Sequence, residues 1–528
     1  MENKRLKIWL PLLLSITMIA GMYLGYKMRD GIQGKSFFFM EKRRPLQEIM
    51  DLIKNRYVDD VNLDTLAGPA IEALLGKLDP HSTYIPAEEL ADVNEDIQGS
   101  FYGIGIEFNV FDDSLHVINV LKDGPSYIAG LKTGDKILKA GDSILSGNKV
   151  KTENIRRLLR GPLGSEVNLR ILRGNKIVSI TVKRGIIPVS SVDASYMLDS
   201  ITGYLRLNKF TTQTYREFMV SLTDLKKKGL IKLILDLRGN GGGVLDEAVE
   251  IADEFLDGDK LVTYTEGKHV KKKEYRCRRL GQFEKGALVI LADEGSASAS
   301  EILMGALQDW DRATIVGRRS FGKGLVQEQY DLSDKSALRL TIARYYTPLG
   351  RSIQRSYAHG GKEYYDEISR RFATGYTDSL RSDSMNRFTS PAGKKLYGGG
   401  GITPDYNVDG DTGRIGAITA RLYTKGLLGN FGYKYIISNS SFTDLYKTPV
   451  DYVRSFKITE DNWKFFESLA AKDSINLSGI TEAEKKFLYN SLKTSIARQV
   501  FRNEGYYEAI NVDDNYVKKA LELLKVSK

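Results

Sequence analysis

The spacing of apolar residues along the chain changes twice, and each change predicts a different kind of structure. In residues 45–78, apolar residues lie three or four positions apart, which predicts two or three short helices. In residues 99–185, short apolar segments are separated by glycines, which predicts a small, partly open barrel with one amphipathic helix over residues 152–160. From Ile201 onward, branched apolar runs alternate with helical spacing, as expected for an α/β fold around a buried sheet.

The last part of the chain returns to helical spacing. In residues 451–528, apolar residues such as Trp463, Phe466 and Leu469 recur at intervals of three or four in an otherwise polar sequence. The pattern predicts a helical extension. It leaves open whether that extension is a dimerisation element, a lid or an adaptor-binding surface.

An uncharged apolar run near the N-terminus predicts a membrane anchor. It extends for about 19 residues, over residues 8–26, which is long enough to cross the hydrocarbon core of a bilayer. Basic residues precede it, which favours a cytoplasmic N-terminus and an extracytoplasmic remainder. A cleaved signal peptide is the alternative, but the run is longer than the apolar h-region of a usual signal peptide and no A-x-A cleavage site follows. We therefore expect an uncleaved anchor.

The composition argues against metal, disulfide and nucleic-acid chemistry. The 528 residues include one cysteine, Cys277, and four histidines, too few for an internal disulfide or a zinc or haem cluster. The formal net charge is +10. The densest basic run, residues 268–279, interleaves charged residues with Val270 and Tyr275, as an exposed hairpin does. We therefore expect a solvated surface there and no nucleic-acid partner.

Two glycine-rich motifs resemble nucleotide-binding loops but differ from them at a necessary position. "GRRSFGKG", residues 317–324, has the spacing of a phosphate-binding loop, but Gly324 stands where a serine or threonine must hold magnesium, and a strand-like sequence follows. "GNGGGV", residues 239–244, lacks the last glycine of a dinucleotide-binding motif because Val244 occupies that position. No nucleotide cofactor is expected.

The segment "GSASASEILMGALQDW", residues 295–310, places serines before a predicted helix. Ser298 lies near the helix start, where backbone N–H groups are unpaired, so its hydroxyl is a candidate nucleophile with the N–H of Ala299 as an oxyanion donor. An N-cap is the competing interpretation, because "SASE" fits a capping box. A nucleophilic serine needs a base, and Lys323 becomes a neutral base if apolar neighbours bury it. A surface lysine in a turn is the alternative.

Several motifs together are similar to one known family. "LDLRGNGGG", "DEGSASASEI", "GALQD" and "FGKGLVQ", preceded by "LDPHSTYIP", resemble the carboxyl-terminal processing peptidases, also called tail-specific proteases, over roughly residues 45–405. In that family the nucleophile precedes a general-base lysine by a fixed interval, and the 25 residues from Ser298 to Lys323 match it. The resemblance therefore implies Ser298 as nucleophile and Lys323 as base.

The same resemblance implies roles for other residues near the pair. Gln327 would orient the lysine through a hydrogen bond, and the N–H groups of Ala299 and Gly243 would hold the oxyanion. Asp309 aligns with an acid that matters in some members, and a helix-surface or structural role is the alternative. No metal or other cofactor is implied.

A second resemblance lies within the predicted barrel. "DGPSYIAGLKTGDKILKAGD", residues 123–142, resembles the core of a PDZ domain, and "YGIGI", residues 102–106, resembles its carboxylate-binding loop. Glycines there let backbone N–H groups turn toward a carboxylate, and a peptide can add as an extra strand beside them. An ordinary hairpin with a glycine bulge is the alternative. The residues expected to bind a substrate tail are Tyr102, Gly103, Ile104, Gly105, Ile106, Ile155, Leu158 and Leu159.

The resemblance implies a multidomain α/β (α+β) protein with a crotonase- or ClpP-like peptidase core. The expected segments are a cytoplasmic tip and anchor (1–28), an N-terminal helical region (29–95), a PDZ domain (96–186), a Ser/Lys peptidase core (187–410) and a mainly helical extension (411–528).

The implied function is that of a serine endopeptidase that captures free, apolar C-termini of protein substrates through its PDZ domain. We expect it in the bacterial cell envelope, anchored in the cytoplasmic membrane with the peptidase on the periplasmic side. The C-terminal helices would support self-association or adaptor binding. A noncatalytic PDZ scaffold on the same fold is one alternative, opposed by the presence of Ser298, Lys323 and Gln327. A crotonase-like acyl-CoA enzyme is another, opposed by the PDZ-like segment.

Overall fold

The computed structural model describes residues 4–31, 45–111, 113–145, 151–374, 386–408, 415–439 and 441–526. The chain forms two compact units, Met1–Ile71 and Glu72–Lys528. The expected boundary between residues 410 and 411 lies outside the described residues.

The N-terminal region is helical, as the apolar spacing predicts. Its elements are α1 (Lys4–Gly31), α2 (Pro45–Arg56), α3 (Leu63–Leu75), β1 (Thr83–Ile85) and α4 (Ala87–Gln98). Within α1, the stretch Trp9–Lys27 is long and apolar enough to cross a membrane, and among the described residues no other helix is. The described side chains of that stretch are all exposed.

Residues 100–188 form the predicted small barrel. Its elements are β2 (Ser100–Gly103), β3 (Ile106–Phe111), β4 (Ser114–Val120), α5 (Pro125–Ile128), β5 (Lys136–Ala140), β6 (Ser143–Ile144), α6 (Thr152–Leu159), β7 (Glu166–Arg173), β8 (Lys176–Lys183) and β9 (Gly185–Pro188). The main sheet has the order β3-β4-β5-β7-β8, with β6 beside β5, while β2 pairs with β9. Helix α6 buries Ile155 and Leu159 in the barrel core, which confirms the predicted amphipathic helix.

The following residues form an α/β sandwich. Its first elements are β10 (Val192–Met197), β11 (Thr202–Leu207), α7 (Thr214–Lys227), β12 (Lys232–Asp236), α8 (Leu245–Asp253), β13 (Leu261–Glu266), β14 (Lys273–Arg276), β15 (Leu288–Ala292), α9 (Ala299–Asp309) and β16 (Thr314–Gly317). On β12, Leu233 packs in the cluster that includes α7, α8 and α9, while its neighbour Ile234 faces a second cluster. The strand is apolar at consecutive positions because both faces of the sheet are covered.

A second sheet lies beside the first. The remaining elements of this part are β17 (Leu325–Asp331), β18 (Ala337–Tyr346), α10 (Gly361–Thr374), β19 (Arg387–Thr389), β20 (Lys395–Tyr397) and β21 (Tyr406–Asn407). The first sheet has the order β10-β11-β12-β15-β16-β21, and the second has the order β1-β18-β13-β14 with β17 beside β18. Strands β13 and β14 form a hairpin whose turn and second strand carry the predicted basic run and are mostly exposed, whereas β13 is largely buried.

The C-terminal extension is helical and packs on both the barrel and the sandwich. Its elements are α11 (Ala417–Thr424), α12 (Leu427–Ser438), α13 (Phe442–Leu445), α14 (Pro449–Ser455), α15 (Glu460–Lys472), α16 (Glu482–Ile510) and α17 (Asn515–Val526). Helix α16 is broken at Arg502, which has φ 61° and ψ −145°. Before the break, Gln499 donates to the Ile118 carbonyl of the barrel (3.0 Å), and after it Asn503 donates to Asp193 of the sandwich (2.6 Å). Helix α17 covers the second face of the parallel sheet.

Candidate active site

Ser298 occupies the turn between β15 and α9, at the carboxyl end of a parallel strand. Its backbone has φ 55° and ψ −115°, a region that residues other than glycine rarely adopt. Such strain is typical of functional turns, where surrounding contacts hold it in place. Ser298 is also the N-cap of α9, and its backbone N–H donates to the carboxylate of Glu301, the third residue of the helix, at 2.9 Å. Ser298 therefore occupies the predicted cap position, next to the backbone N–H groups of the first turn of α9.

Two backbone N–H groups beside Ser298 are free to bind an anion. Ala299 is the first residue of α9, and Gly243 lies in the glycine loop after β12. Neither N–H has an acceptor within the described part of the chain. By contrast, the N–H of Gly242 donates to Asn240 Oδ1 at 2.9 Å. Both groups expected as oxyanion donors are thus unpaired within the described residues.

The glycine loop lies directly against the serine turn. The Asn240 carbonyl accepts the Ala297 N–H and the Ser300 hydroxyl, both at 2.9 Å. At Gly242, where φ is 94°, a Cβ would come within 2.7 Å of Ser298 Cβ and 2.8 Å of the Ala299 nitrogen. Only a glycine fits this position, and the sequence alone did not distinguish it from its two neighbours.

Lys323 lies in the loop between β16 and β17 and is largely removed from water. Burial lowers the pKa of its side chain below the ordinary value, and the nearby Arg339 guanidinium lowers it further. Glu301 and Asp79 act in the opposite direction and do not cancel the shift. A lowered pKa makes the neutral form, which a general base requires, more accessible than in a solvent-exposed lysine.

A fully buried carboxylate joins the serine turn to the lysine loop. Glu301 Oε2 accepts the N–H groups of Ser298 (2.9 Å) and Lys323 (2.8 Å). Its Oε1 accepts the Gly322 N–H (2.7 Å) and the Ser320 hydroxyl (2.5 Å). The sequence predicts Glu301 only as a cap partner, because the spacing within one helix carries no information about a loop twenty residues further on.

A buried tyrosine also contacts both the serine turn and the lysine loop. Tyr345, on β18, directs its hydroxyl toward the main-chain carbonyls of Ser298 (3.1 Å) and Lys323. The side chains of Glu301 and Tyr345 thus bind the same two residues through their backbones and leave both functional side chains uncommitted.

Gln327 lies on β17, directly opposite Thr341 on β18. Its Nε2 is 3.4 Å from Thr341 Oγ1, which in turn donates to Asp79 at 3.1 Å. Among the described residues, no hydrogen bond joins Lys323 Nζ to Gln327 or to the Ser298 hydroxyl. Catalytic hydrogen bonds are commonly long without substrate and tighten when it binds.

Sequence comparison places the chain among known proteins. A model of peptidase family S41 matches residues 201–360, and a model of the PDZ domain matches residues 103–183. A carboxy-terminal-processing protease from Bartonella bacilliformis is 38% identical over 314 residues, which cover 58% of this chain and 71% of that protein. The chain belongs to peptidase family S41.

A second relative agrees with this assignment. A probable CtpA-like serine protease from Staphylococcus epidermidis is 32% identical over 362 residues, covering 67% of this chain and 72% of that protein. Among solved structures, the photosystem II D1 C-terminal processing protease is 26% identical, covers 69% of this chain and 86% of its own, and has a TM-score of 0.37. A family of unknown function matches residues 418–502. The expected family, the mixed α/β fold with a PDZ domain, and serine peptidase activity are confirmed.

The PDZ domain of this S41 peptidase has an open strand edge. Strand β3 pairs with β4 on one side, and no described strand covers its other edge. Gly105, in the loop before β3, has φ 72° and permits the turn expected of a carboxylate-binding loop. Tyr102 and Gly103 precede this loop, on β2.

The apolar residues expected to line a peptide groove divide into two groups. Ile104, Ile155 and Leu159 are buried in the barrel core, whereas Ile106 and Leu158 are only partly buried. The buried group therefore belongs to the barrel core, and of the five residues only Ile106 and Leu158 expose part of their surface.

Asp309 is a structural residue in this S41 fold. It is fully buried at the end of α9 and forms an ion pair of 2.6 Å with the equally buried Arg351. Its second oxygen accepts the Leu349 N–H at 2.9 Å. The alternative of a helix-surface position is wrong, because α9 is enclosed between the two sheets and exposes no face there.

Proposed function

We propose that this S41 peptidase hydrolyses peptide bonds with Ser298 as nucleophile and Lys323 as general base. The observation that carries the proposal is the Glu301 carboxylate, which binds the backbone N–H groups of both residues and so fixes two distant loops to each other. Unpaired N–H groups at Ala299 and Gly243 and the lowered pKa of Lys323 support it.

The arrangement supports acyl transfer in two steps. The neutral Lys323 amine takes the proton of the Ser298 hydroxyl as its oxygen attacks the substrate carbonyl carbon. The N–H groups of Ala299 and Gly243 hold the resulting oxyanion. The lysine ammonium then gives its proton to the leaving amine as the peptide bond breaks. Water, deprotonated by Lys323, then attacks the acyl-enzyme carbonyl carbon. The lysine ammonium returns that proton to Ser298 Oγ as the ester bond breaks, and the new carboxylate is released. Gln327 orients the amine throughout.

We infer that the substrates are proteins with a free, apolar C-terminus. A carboxylate would bind at the Gly105 loop and at Tyr102 and Gly103 on the end of β2 that leads into it, and the tail would add as a strand to the open edge of β3. The partly buried Ile106 and Leu158 favour an apolar tail. The relatives named carboxy-terminal-processing proteases support the same substrate class.

We propose a location in the bacterial cell envelope, with α1 as an uncleaved anchor in the cytoplasmic membrane and the peptidase on the periplasmic side. The apolar stretch Trp9–Lys27 and the basic residues before it support this orientation. The helical extension after residue 410 is proposed to serve self-association or adaptor binding.

The proposal is tested with a folded substrate protein that carries an apolar C-terminal tail, and with the same protein carrying a charged tail. Ser298→Ala and Lys323→Ala are expected to abolish cleavage. Ser296→Ala and Ser300→Ala are matched controls, because the hydroxyls that they remove donate to main-chain carbonyls. Both control variants are expected to keep measurable cleavage. Cleavage by Ser298→Ala at the wild-type rate would refute the assignment. Tail-dependent binding without cleavage by wild type would favour the scaffold alternative.

A further inference from the structure

A turn far upstream in the sequence reaches the back of the active site. Residues 79–82, here called the Asp79 turn, follow α3 and lead into β1, which pairs with β18. This pairing brings the turn beside Thr341, whose N–H donates to Ser82 Oγ at 3.1 Å. The turn therefore contacts the strand that faces Gln327.

The Asp79 carboxylate is saturated with hydrogen-bond donors. It is 7% exposed and accepts the N–H groups of His81 and Ser82, both at 2.8 Å, and the Ser82 hydroxyl at 2.6 Å. The Thr341 hydroxyl donates to it at 3.1 Å. An ionised carboxylate can only accept, so the single hydroxyl proton of Thr341 is committed to Asp79.

This commitment determines the direction of the next hydrogen bond. With its proton directed at Asp79, Thr341 Oγ1 can only accept from Gln327, and the group it faces must be the amide nitrogen, Nε2. Because the amide nitrogen faces Thr341, the carbonyl oxygen Oε1 at the other end of the planar amide points away from it. A neutral lysine amine that gives its lone pair to a serine proton still has two N–H donors, and a carbonyl oxygen is the partner they require.

We infer that the Asp79 turn, acting through Thr341, sets the orientation of the Gln327 amide so that its carbonyl oxygen faces Lys323. The inference rests on the proposed roles of Ser298, Lys323 and Gln327. Asp79 and Thr341 touch neither substrate nor the reacting atoms and are positioning residues. In the opposite amide orientation, an NH₂ group would face the lysine donors and would turn the lone pair of the base away from the serine.

The experiment compares Thr341→Val, which keeps the shape and removes the hydroxyl, with Thr341→Ser, which keeps the hydroxyl. Thr341→Val is expected to lower kcat roughly 10- to 100-fold with little change in KM, because the base is misoriented and substrate contacts are intact. Thr341→Ser is expected to restore most of kcat. Unchanged kcat in Thr341→Val would overturn the inference.

A double-mutant cycle with Gln327→Ala tests whether Thr341 acts through Gln327. If Thr341 acts through Gln327, Thr341→Val has no further effect once Gln327 is alanine. If the loss is equally large in the Gln327→Ala background, Thr341 acts elsewhere and the inference is wrong. Loss of cleavage in Ser298→Ala is measured alongside, so that failure of the proposed function is distinguishable from failure of this inference alone.

Asp79→Asn supplies an independent readout. The charged or titratable groups that face Lys323 are Glu301 from α9, Arg339 from β18, and Asp79 and His81 from the turn. Asparagine keeps an oxygen at the Oδ1 position, because the His81 and Ser82 N–H groups there can only donate, and that oxygen still accepts the Thr341 hydroxyl. Removing the negative charge lowers the pKa of Lys323 further, so the rising limb of the pH profile is expected to move to lower pH while the plateau is kept. Thr341→Val keeps the charge and is expected to lower the plateau without moving the limb. A plateau that falls as far in Asp79→Asn as in Thr341→Val would contradict the inference.

Discussion

Replacing Glu301 by glutamine tests whether its carboxylate holds the two catalytic loops together. The glutamine keeps one oxygen, and that oxygen must remain toward Ser298 and Lys323, because both partners are backbone N–H groups that can only donate. The new NH₂ group then faces the Ser320 hydroxyl, which can accept, and the Gly322 N–H, which cannot. One buried N–H loses its acceptor.

The size of the effect depends on pH in a way that can be calculated. An orphaned buried N–H costs about 1–3 kcal/mol. Burial raises the pKa of Glu301 from 4.5 to about 7, which corresponds to about 3 kcal/mol. Because the folded state holds this proton more tightly than the unfolded state, that stability is fully present below pH 4.5 and is lost as pH rises through 7. Glutamine does not titrate, so the Glu301→Gln variant does not lose this stability over the same pH range.

The assay is denaturant unfolding of wild type and Glu301→Gln, both in a Ser298→Ala background to prevent self-digestion. At about pH 5 the variant is expected to be less stable by about 1–3 kcal/mol. At about pH 8 this difference in stability is expected to shrink or reverse, because ionisation of the buried Glu301 has by then destabilised the wild type. A difference that is constant between the two pH values would show that Glu301 does not titrate there. Equal stability at pH 5 would show that the four hydrogen bonds do not organise the site.

Three further predictions follow from the geometry. Gly242→Ala places a methyl group against Ser298 and is expected to lower kcat/KM about 100-fold or more in steady-state assays, with the circular dichroism spectrum unchanged. Asp309→Asn leaves Arg351 as a buried, unpaired charge and is expected to cost about 3–5 kcal/mol in unfolding experiments, while activity per folded molecule is retained; equal loss of activity would give Asp309 a catalytic role. The kcat/KM of wild type is expected to rise with pH through the pKa of Lys323, at a midpoint below the ordinary lysine value; a midpoint at or above that value would refute a buried base.

The sequence predicts those features that depend on neighbours along the chain. Alternating apolar and polar spacing predicts the barrel, the amphipathic helix α6 and the exposed basic hairpin, because each reflects burial of one face of a local element. The cap position of Ser298 is local in the same sense, since it needs only the four residues at the start of α9.

Features that depend on contacts between distant segments were not predictable from local pattern. Glu301 has the spacing of a cap residue whether or not the loop between β16 and β17 also donates to its carboxylate. The first donor in that loop, Ser320, lies 19 positions further along the chain. The contact between Asp79 and Thr341 spans 262 positions and forms only because β1 pairs with β18. The buried position of Asp309 was also not predictable, because a helical pattern alone does not tell which face of α9 this residue lies on.

The two carboxylates near Lys323 show how a lysine can be held in place without being kept charged. A carboxylate bonded directly to Nζ would stabilise the ammonium form and raise the pKa of the base. Glu301 instead uses its acceptor sites on three backbone N–H groups and one hydroxyl, and Asp79 uses its own on two backbone N–H groups and two hydroxyls. Each therefore anchors a loop or a strand while its charge acts on Lys323 only from a distance. Burial and Arg339 outweigh that remaining attraction, so the pKa of Lys323 lies below its ordinary value.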